Sequence, residues 1–242
     1  MQNFKRESVG MIVAEQPLRA AVFDRFGIDF CCGGKQTLEE ACAKIAASPE
    51  SVIAELCKND EMSVAGGNSS ENWLNASMTV LADHIVQTHH AYLKEELPRL
   101  KVLADKVARV HGLKEPRLTK VASVFSQMKD ELLAHAQKEE VILFPFIRRL
   151  DQGSTKGRPP FGTVDNPVRC LESEHKDAGD ALLELRKLTD NYTPAENACA
   201  SWVALLAGLA HLDQDLRTHI HKESTILFPK AIETERHLAT TS

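Results

Sequence analysis

Two stretches of the sequence repeat one pattern and decide the fold: HAQKEEVILFP at positions 135–145 and HIHKESTILFP at positions 219–229. In each stretch a Glu follows the His by four residues, and Leu-Phe-Pro follows it by eight to ten. Residues four apart on a helix have Cβ atoms about 6 Å apart on one face, so the His and the Glu can reach the same site. Two helices with matching ligand-like residues predict a pseudo-symmetric pair inside one helical bundle.

The apolar residues around these stretches predict four long helices. They recur at alternating steps of three and four, which is the spacing of an amphipathic helix. The expected spans are about 73–96, 117–150, 167–188 and 193–235, with a shorter helical stretch to about residue 110. Pro98 is expected to end the first helix. Thr193 and Glu196 are expected to form a capping box that begins the fourth.

The first 60 or so residues predict a separate, small helical unit. Short helices are expected at about 8–14 and from Pro17 to near Gly27, and Thr37 with Glu40 forms a capping box for a third. The Gly-rich, polar segment 63–70 is expected to be a linker. The sequence therefore predicts an all-α protein, with a small helical domain at residues 1–66 followed by a four-helix bundle at residues 73–238.

Composition narrows the class of protein. The 242 residues carry a formal net charge of −5 and are 43% hydrophobic, as in ordinary globular proteins. No basic tract is present, which argues against nucleic acid as a partner. The longest apolar run, 202–210, is far too short to cross a membrane, and the N-terminus lacks the apolar stretch of a signal peptide. Six cysteines without a disulfide or zinc-site spacing fit a reducing compartment, so a cytoplasmic protein is expected.

The predicted apolar stripes carry groups that bind metals. Each long helix places one His on its stripe, and two helices add a Glu, giving His84, His135, Glu139, His175, His219 and Glu223. An ionised carboxylate left unpaired in a core is very costly, and no Lys or Arg shares these stripes, so a dication is the expected counter-charge.

Six such donors are too many for one tetrahedral zinc ion. They predict two metal ions, each bound by two His, with both Glu bridging and an oxide or hydroxide completing the core. The donor types suit iron, manganese or zinc equally well.

Four further residues are candidates to support this chemistry. Glu131 lies one turn before His135, and Glu174 adjoins His175, so either could orient a ligand or relay protons. Cys31 and Cys32 precede a predicted helix N-terminus, where thiolates are favoured. This pair could bind iron, exchange electrons or touch a client protein, or it could simply pack the small domain. The remaining His residues are expected at the surface or around the ligands, and the other four cysteines are expected to pack within helices.

The joint pattern resembles the repair-of-iron-centres family, the di-iron iron-sulfur cluster repair proteins of bacteria. The resemblance rests on DFCCGG at 29–34, DHI at 83–85, the His-xxx-Glu pairs at 135–139 and 219–223, and ESEH at 172–175, and it covers nearly the whole chain. It implies two non-haem iron ions, a hemerythrin-like bundle, the same six ligands, and a role for Cys31 and Cys32. Compared with hemerythrin itself, the stripes offer four His rather than five and both carboxylates are Glu, which argues against simple oxygen carriage.

The resemblance implies recovery of iron-sulfur proteins damaged by nitric oxide or oxidants, through iron donation or nitric oxide chemistry. Two alternatives remain open at this point. One is a sensor or scavenger that binds nitric oxide or oxygen, and the other is a nitric oxide reductase or peroxidase that uses Glu131 or Glu174 to move protons. Damaged iron-sulfur proteins and small gaseous ligands are the expected partners. A homodimer is compatible with the sequence, which does not fix the oligomeric state.

Overall fold

The computed structural model describes residues 4–65, 73–154 and 159–241. These residues form helices and turns, with one isolated bridge between Ser8 and Thr37 and no strand among them, which confirms the all-α prediction. No helix in the described part of the chain is both long and apolar enough to cross a lipid bilayer.

Four helices make up the N-terminal unit: α1 (Val9–Glu15), α2 (Ala20–Phe26), α3 (Leu38–Lys44) and α4 (Pro49–Ala65). Ser8 caps α1, and Thr37 and Glu40 form the predicted capping box of α3. Gly27 ends α2 with a φ of 73°, a conformation that glycine adopts without strain. The predicted linker is partly wrong, because residues 63–65 belong to α4; residues 66–70 lie outside the described residues.

The bundle helices contain α-helical and π-helical segments. The first long helix comprises α5 (Met78–His84), πA (Ile85–His90) and α6 (Ala91–His111), and the second comprises α7 (Arg117–Lys138), πB (Glu139–Leu143) and α8 (Phe144–Asp151). The third is α9 (Asp165–Leu188), and the fourth comprises α10 (Ala200–His221), πC (Lys222–Leu227) and α11 (Phe228–Thr241). Helix α6 packs on α7 and α10, and α7 packs on α9.

Two predicted helix ends are wrong. Pro98 lies inside α6, where the burial of Leu97 and Leu100 outweighs the one backbone hydrogen bond that proline cannot donate. The fourth helix begins at Ala200 rather than near Thr193. The residues before it form a turn in which Asp190, Asn191 and Tyr192 all have positive φ, and the Tyr192 hydroxyl donates to Asp213 at 2.6 Å.

The N-terminal unit and the bundle share one apolar core. A single cluster of buried side chains contains Phe23 and Leu38 of the N-terminal helices together with Leu93 and Ile220 of the bundle. The imidazole Nε2 of His221 also donates to the carbonyl oxygen of Gly10 at 2.8 Å. The small unit is therefore packed against the bundle beside πC.

Candidate metal centre

Each of the three π-helical segments begins or ends beside a potential metal ligand. The amide of Phe144 donates to the carbonyl of Glu139, and the amide of Phe228 donates to that of Glu223, both five residues back. Proline follows each Phe, and proline cannot make the bond to the carbonyl four residues back. The repeated Leu-Phe-Pro therefore marks a widened turn, and such turns are frequent at functional sites.

Two groups of donor atoms converge in the bundle core. One group contains His90, Glu139, His219 and Glu223, and the other contains His135, Glu139, His175 and Glu223. All these residues are buried, and within each group the donor atoms lie within 4.8 Å of one another. Each group thus has two imidazoles of its own, and the two groups share both carboxylates.

The carboxylates of Glu139 and Glu223 each face both groups. The Oε2 atom of Glu139 lies 3.2 Å from Nε2 of His90, and its Oε1 atom lies 3.4 Å from Nε2 of His135. The Oε1 atom of Glu223 lies 2.9 Å from Nε2 of His219, and its Oε2 atom lies 3.1 Å from Nε2 of His175. Each carboxylate therefore offers one oxygen to each pair of imidazoles.

Outer contacts fix three of the imidazoles with Nε2 turned inwards. The Nδ1 atom of His135 lies 2.9 Å from Oε2 of Glu174, that of His90 lies 2.9 Å from Oε1 of Glu140, and that of His175 lies 3.0 Å from the Ser224 hydroxyl. This arrangement is the usual one for metal-binding His, because a bond at one nitrogen sets the other free for the metal.

Phenylalanine rings stack on two of these imidazoles. Phe144 stacks on His90 at 5.8 Å between ring centroids, and Phe228 stacks on His175 at the same separation. The Phe of each Leu-Phe-Pro repeat thus packs against an imidazole of a different helix. His219 differs from the other three, because its Nδ1 has no hydrogen-bond partner among the described residues and its ring stacks on His89.

The donor set fits a pair of metal ions. Within the described residues, Nε2 of His90, both carboxylate oxygens of Glu139 and Oε2 of Glu223 are buried without a hydrogen-bond partner. Two more nitrogens, Nε2 of His135 and Nε2 of His175, face each other at 3.1 Å. Buried polar atoms left unpaired cost free energy, and cations among these lone pairs would satisfy them together.

The electrostatics of the site favour charged carboxylates and shift the pKa values of the imidazoles in opposite directions. Burial and the nearby Glu223 charge oppose ionisation of Glu139, yet His135 and His90 hold its pKa below the ordinary value. Burial opposes protonation of His135, but the Glu139 carboxylate outweighs it and raises the pKa to about 9. Burial lowers the pKa of His219. Without a metal, the core must therefore hold protons on imidazoles to balance its two carboxylates.

His90, rather than His84, lies with the other five predicted ligands in the two donor groups. His84 is half-buried, and its Nε2 lies 2.8 Å from the Nζ atom of Lys222. The predicted stripe assumed a regular helix, whereas the buried residues on either side of His84 include Leu81, Ile85, the pair at 89–90 and Leu93. The extra residue in the πA turn brings His90 to the core side.

Several other sequence expectations change with the structure. Of the His residues expected at the surface or around the ligands, His89 is buried against His219, His90 lies within a donor group and His221 is buried against Gly10. Cys57, Cys170 and Cys199 are exposed rather than packed. Of the two supporting candidates, Glu174 contacts His135 directly, while Glu131 accepts a hydrogen bond from Gln127 at 2.9 Å. Glu140, which the sequence analysis did not single out, is the partner of His90.

A cavity of about 220 Å³ lies beside the donor groups. Its wall includes His135, His175, His219 and Glu131, and apolar side chains such as Met128 and Leu216 make up most of the rest. The cavity gives a small molecule access to the edges of both imidazole pairs.

The predicted thiol pair lies against α9, the helix that carries His175. The Sγ atom of Cys32 lies 3.3 Å from the carbonyl oxygen of His175, and the Sγ atoms of Cys31 and Cys32 are 3.7 Å apart. The pair is thus outside the donor groups and in contact with the backbone of one of them.

A helical bundle with four core imidazoles and two shared carboxylates defines the class of hemerythrin-like metal-binding proteins. Residues 81–231 match the model of the Hemerythrin HHE cation binding domain, and residues 5–60 match a Domain of Unknown function (DUF542). The iron-sulfur cluster repair protein YtfE of Musicola paradisiaca is 38% identical over 96% of this chain and 99% of its own. The proteins of that name from Enterobacter sp. and Escherichia coli O157:H7 are 36% and 35% identical over the same shares.

The chain belongs to the family of these iron-sulfur cluster repair proteins. The hemerythrin-like domain implies non-haem iron binding, and the two His/Glu groups are the residues that could hold it.

Proposed function

We propose that this protein repairs damaged iron-sulfur clusters and that a pair of iron ions in the bundle core serves this function. The support is the donor set, in which two His pairs share Glu139 and Glu223. His90 and His219 would hold one ion, and His135 and His175 the other. Iron bound there would supply redox chemistry and a coordination position for a small ligand.

The residues around the ions have distinct tasks. Glu139 and Glu223 link the two positions, because each turns one oxygen to each His pair. Glu174 and Glu140 orient His135 and His90 through Nδ1. Glu174 also pairs with Lys138 at the exposed end of the cavity, so a proton could pass between solvent and the His135 ring along these contacts.

The sequence relatives support repair as the task, since the proteins that match nearly the whole chain are named iron-sulfur cluster repair proteins. The test is to mix the iron-loaded protein with a dehydratase whose cluster has been damaged by nitric oxide and to follow recovery of dehydratase activity. We expect recovery with the iron-loaded protein and with its Glu95→Ala variant, because Glu95 is exposed. No recovery above that given by free ferrous ion would contradict the proposal.

The largely apolar cavity favours a second candidate, binding or reduction of nitric oxide. A small uncharged molecule loses little hydration on entering such a cavity, and the cavity reaches both imidazole pairs. Stoichiometric uptake of nitric oxide without cluster recovery would favour a scavenger or sensor. Turnover with an added reductant would favour a reductase.

The proposal also covers the domain boundary and the cellular compartment. We place the boundary between a small N-terminal domain and the bundle at residues 66–72, between the segments matched by the two family models. We also place the protein in the cytoplasm, because all six cysteines are unpaired and reduced thiols are typical of that compartment.

A further inference from the structure

A second group of metal-binding side chains lies in the N-terminal unit, outside the bundle core. The donor atoms of Asp29, Cys31 and Cys32 lie within 4.8 Å of one another. They occupy the loop between α2 and α3, where that loop rests on α9. Gly179 of α9 permits the approach, since a Cβ atom there would lie 3.0 Å from Sγ of Cys32.

The two sulfur atoms already have the separation that a shared metal ion requires. They are 3.7 Å apart, and Oδ1 of Asp29 lies 3.2 Å from Sγ of Cys31. Metal–sulfur bonds of about 2.3 Å at a tetrahedral angle place two sulfur atoms about 3.8 Å apart. The pair could bind one ion with little change of side-chain position.

The backbone of the loop fixes the third donor. Oδ1 of Asp29 accepts the amides of Cys31 and Cys32 at 3.0 Å each, and Oδ2 accepts the amide of Gly33 at 2.8 Å. A carboxylate has about four acceptor positions, and the fourth takes the Cys31 thiol, so it becomes free for a metal ion when that thiol loses its proton. Asp29 is exposed, and the three residues border a groove of about 320 Å³, which gives an ion a path from solvent.

The charges around the thiols favour a cation over two free thiolates. The Cys31 thiol is buried beside the Cys32 thiol and the Asp29 carboxylate, so two thiolates held together with that carboxylate would be costly without a counter-charge. Lys176 and Arg217, which also line the groove, are paired with Asp180 and Asp213 respectively. A dication is therefore the counter-charge best suited to this corner of the groove.

We propose that Asp29, Cys31 and Cys32 form a second metal site, which binds one thiophilic divalent transition-metal ion at the mouth of the groove. On binding, two S–H bonds break, two metal–sulfur bonds form and two protons pass to solvent, with no change of oxidation state. A further ligand to such an ion would enter from the groove that the three residues line. The site does not depend on the repair function proposed above, because its evidence is the geometry of the loop.

The test uses Co²⁺ as the probe on the full chain, after the bundle has been loaded with iron. We expect one further Co²⁺ ion per chain, with the charge-transfer absorption of cobalt–thiolate bonds. The C31S/C32S variant should lose both the ion and the absorption. The matched control C57S/C199S should keep them, because both of those cysteines are exposed and far from the loop in sequence. The bundle cannot produce this signal, since its donors are nitrogen and oxygen.

A D29N variant tests the third donor. Whether Asp29 binds the ion or holds the loop that presents the sulfur atoms, its loss should weaken Co²⁺ binding on the order of 10- to 100-fold. Absence of a cobalt–thiolate absorption in the wild type, or its persistence in C31S/C32S, would overturn the proposal. Bundle iron content, measured in the same samples, separates this result from failure of the core site.

Discussion

The Nζ atom of Lys222 lies 2.8 Å from Nε2 of His84, the nitrogen that His84 would need for binding a metal ion. The same ammonium group lies 3.0 Å from Nε2 of His89, whose Nδ1 faces Asp215 at 2.8 Å. An ammonium group only donates, so both imidazoles accept from it. The ammonium group of Lys222 therefore lies where a metal ion bound by His84 would have to lie. Burial and the charge of Lys222 lower the pKa of His84 to about 4.

This arrangement predicts that His90 matters for metal content and His84 does not. Replacing His90 with Ala removes one of two imidazoles from a donor group and should cost roughly one of two ions per chain. Replacing His84 with Ala should leave the metal content close to that of the wild type. Metal analysis of both purified variants checks the prediction, and equal losses would contradict the assignment of His90.

Replacement of three different Glu residues with Ala should reduce metal retention to three different extents. Glu139→Ala removes a group shared by both positions and should abolish paired binding. Glu140→Ala removes the partner of the His90 Nδ1 atom and should weaken metal binding by about 10- to 100-fold. Glu95→Ala, at an exposed position, should have no effect. Titration with a metal chelator measures the order, and similar retention in all three variants would show that Glu139 does not bridge.

Much of the core could be predicted from the repeated His-xxx-Glu and Leu-Phe-Pro pattern alone. Glu139 and Glu223, with His135 and His219, follow from it, and His175 follows from the stripe of α9. His90 does not follow, because the periodicity of a regular helix cannot show where an extra residue enters the turn. The first long helix has a π-helical segment without the proline that accompanies the other two.

The predictions of two helix ends were wrong for a physical reason. Local signals at Pro98 and Thr193 are worth a few kcal/mol at most, and burial along α6 and the turn at 190–192 outweigh them. The contact between Cys32 and His175 joins residues 143 positions apart, and no local pattern encodes it.

Metal removal should lower the stability of the chain. The buried atoms of Glu139, Glu223 and His90 without hydrogen-bond partners need an ion to compensate for their lost hydration. A ligand present at 100 times its dissociation constant adds about 2.7 kcal/mol to the free energy of unfolding. We therefore expect the iron-loaded protein to melt at a higher temperature than the chelator-treated protein, in scanning calorimetry. Identical melting curves would place the metal outside the core.

A buried ion network at Asp213 should add stability that depends on pH. Its carboxylate accepts from Arg186 at 2.6 Å and from Arg217 at 2.7 Å, besides the Tyr192 hydroxyl. Burial opposes its ionisation, but Arg186 and Tyr192 outweigh burial and hold its pKa below the ordinary value. Asp213→Asn should cost about 3 kcal/mol near pH 7, because it takes the carboxylate from half-buried Arg186 and one of two carboxylates from Arg217, which keeps Asp24.

The sign of the pH effect follows from that lowered pKa. The contribution of Asp213 is fully present above the unfolded pKa of about 3.9 and is lost as the pH falls through the lower folded value. The difference in unfolding free energy between the wild type and D213N should thus stay constant from pH 7 to about 5 and shrink below about 4. Denaturant unfolding at several pH values measures it, and a difference that grows on acidification would contradict the network.

The N-terminal unit is too closely packed on the bundle for its contribution to repair to be measured by deletion. Deleting residues 1–66 is a poor test, because Phe23 and Leu38 share a core with Leu93 and Ile220, and their removal would expose apolar surface on the bundle. We expect the truncated chain to aggregate or to melt at a lower temperature.

Replacing Cys31 and Cys32 with Ser is the milder change, because it alters only two sulfur atoms at the shared core and keeps its large apolar side chains, such as Phe23 and Leu38. If the pair acts together with the iron centre, C31S/C32S should retain the bundle iron and its spectrum yet lose most of the recovery of a nitric-oxide-damaged dehydratase. The C57S/C199S variant should behave as the wild type. Full recovery by C31S/C32S would restrict the pair to packing the loop against α9 and remove the thiols from the repair reaction, whatever metal they bind.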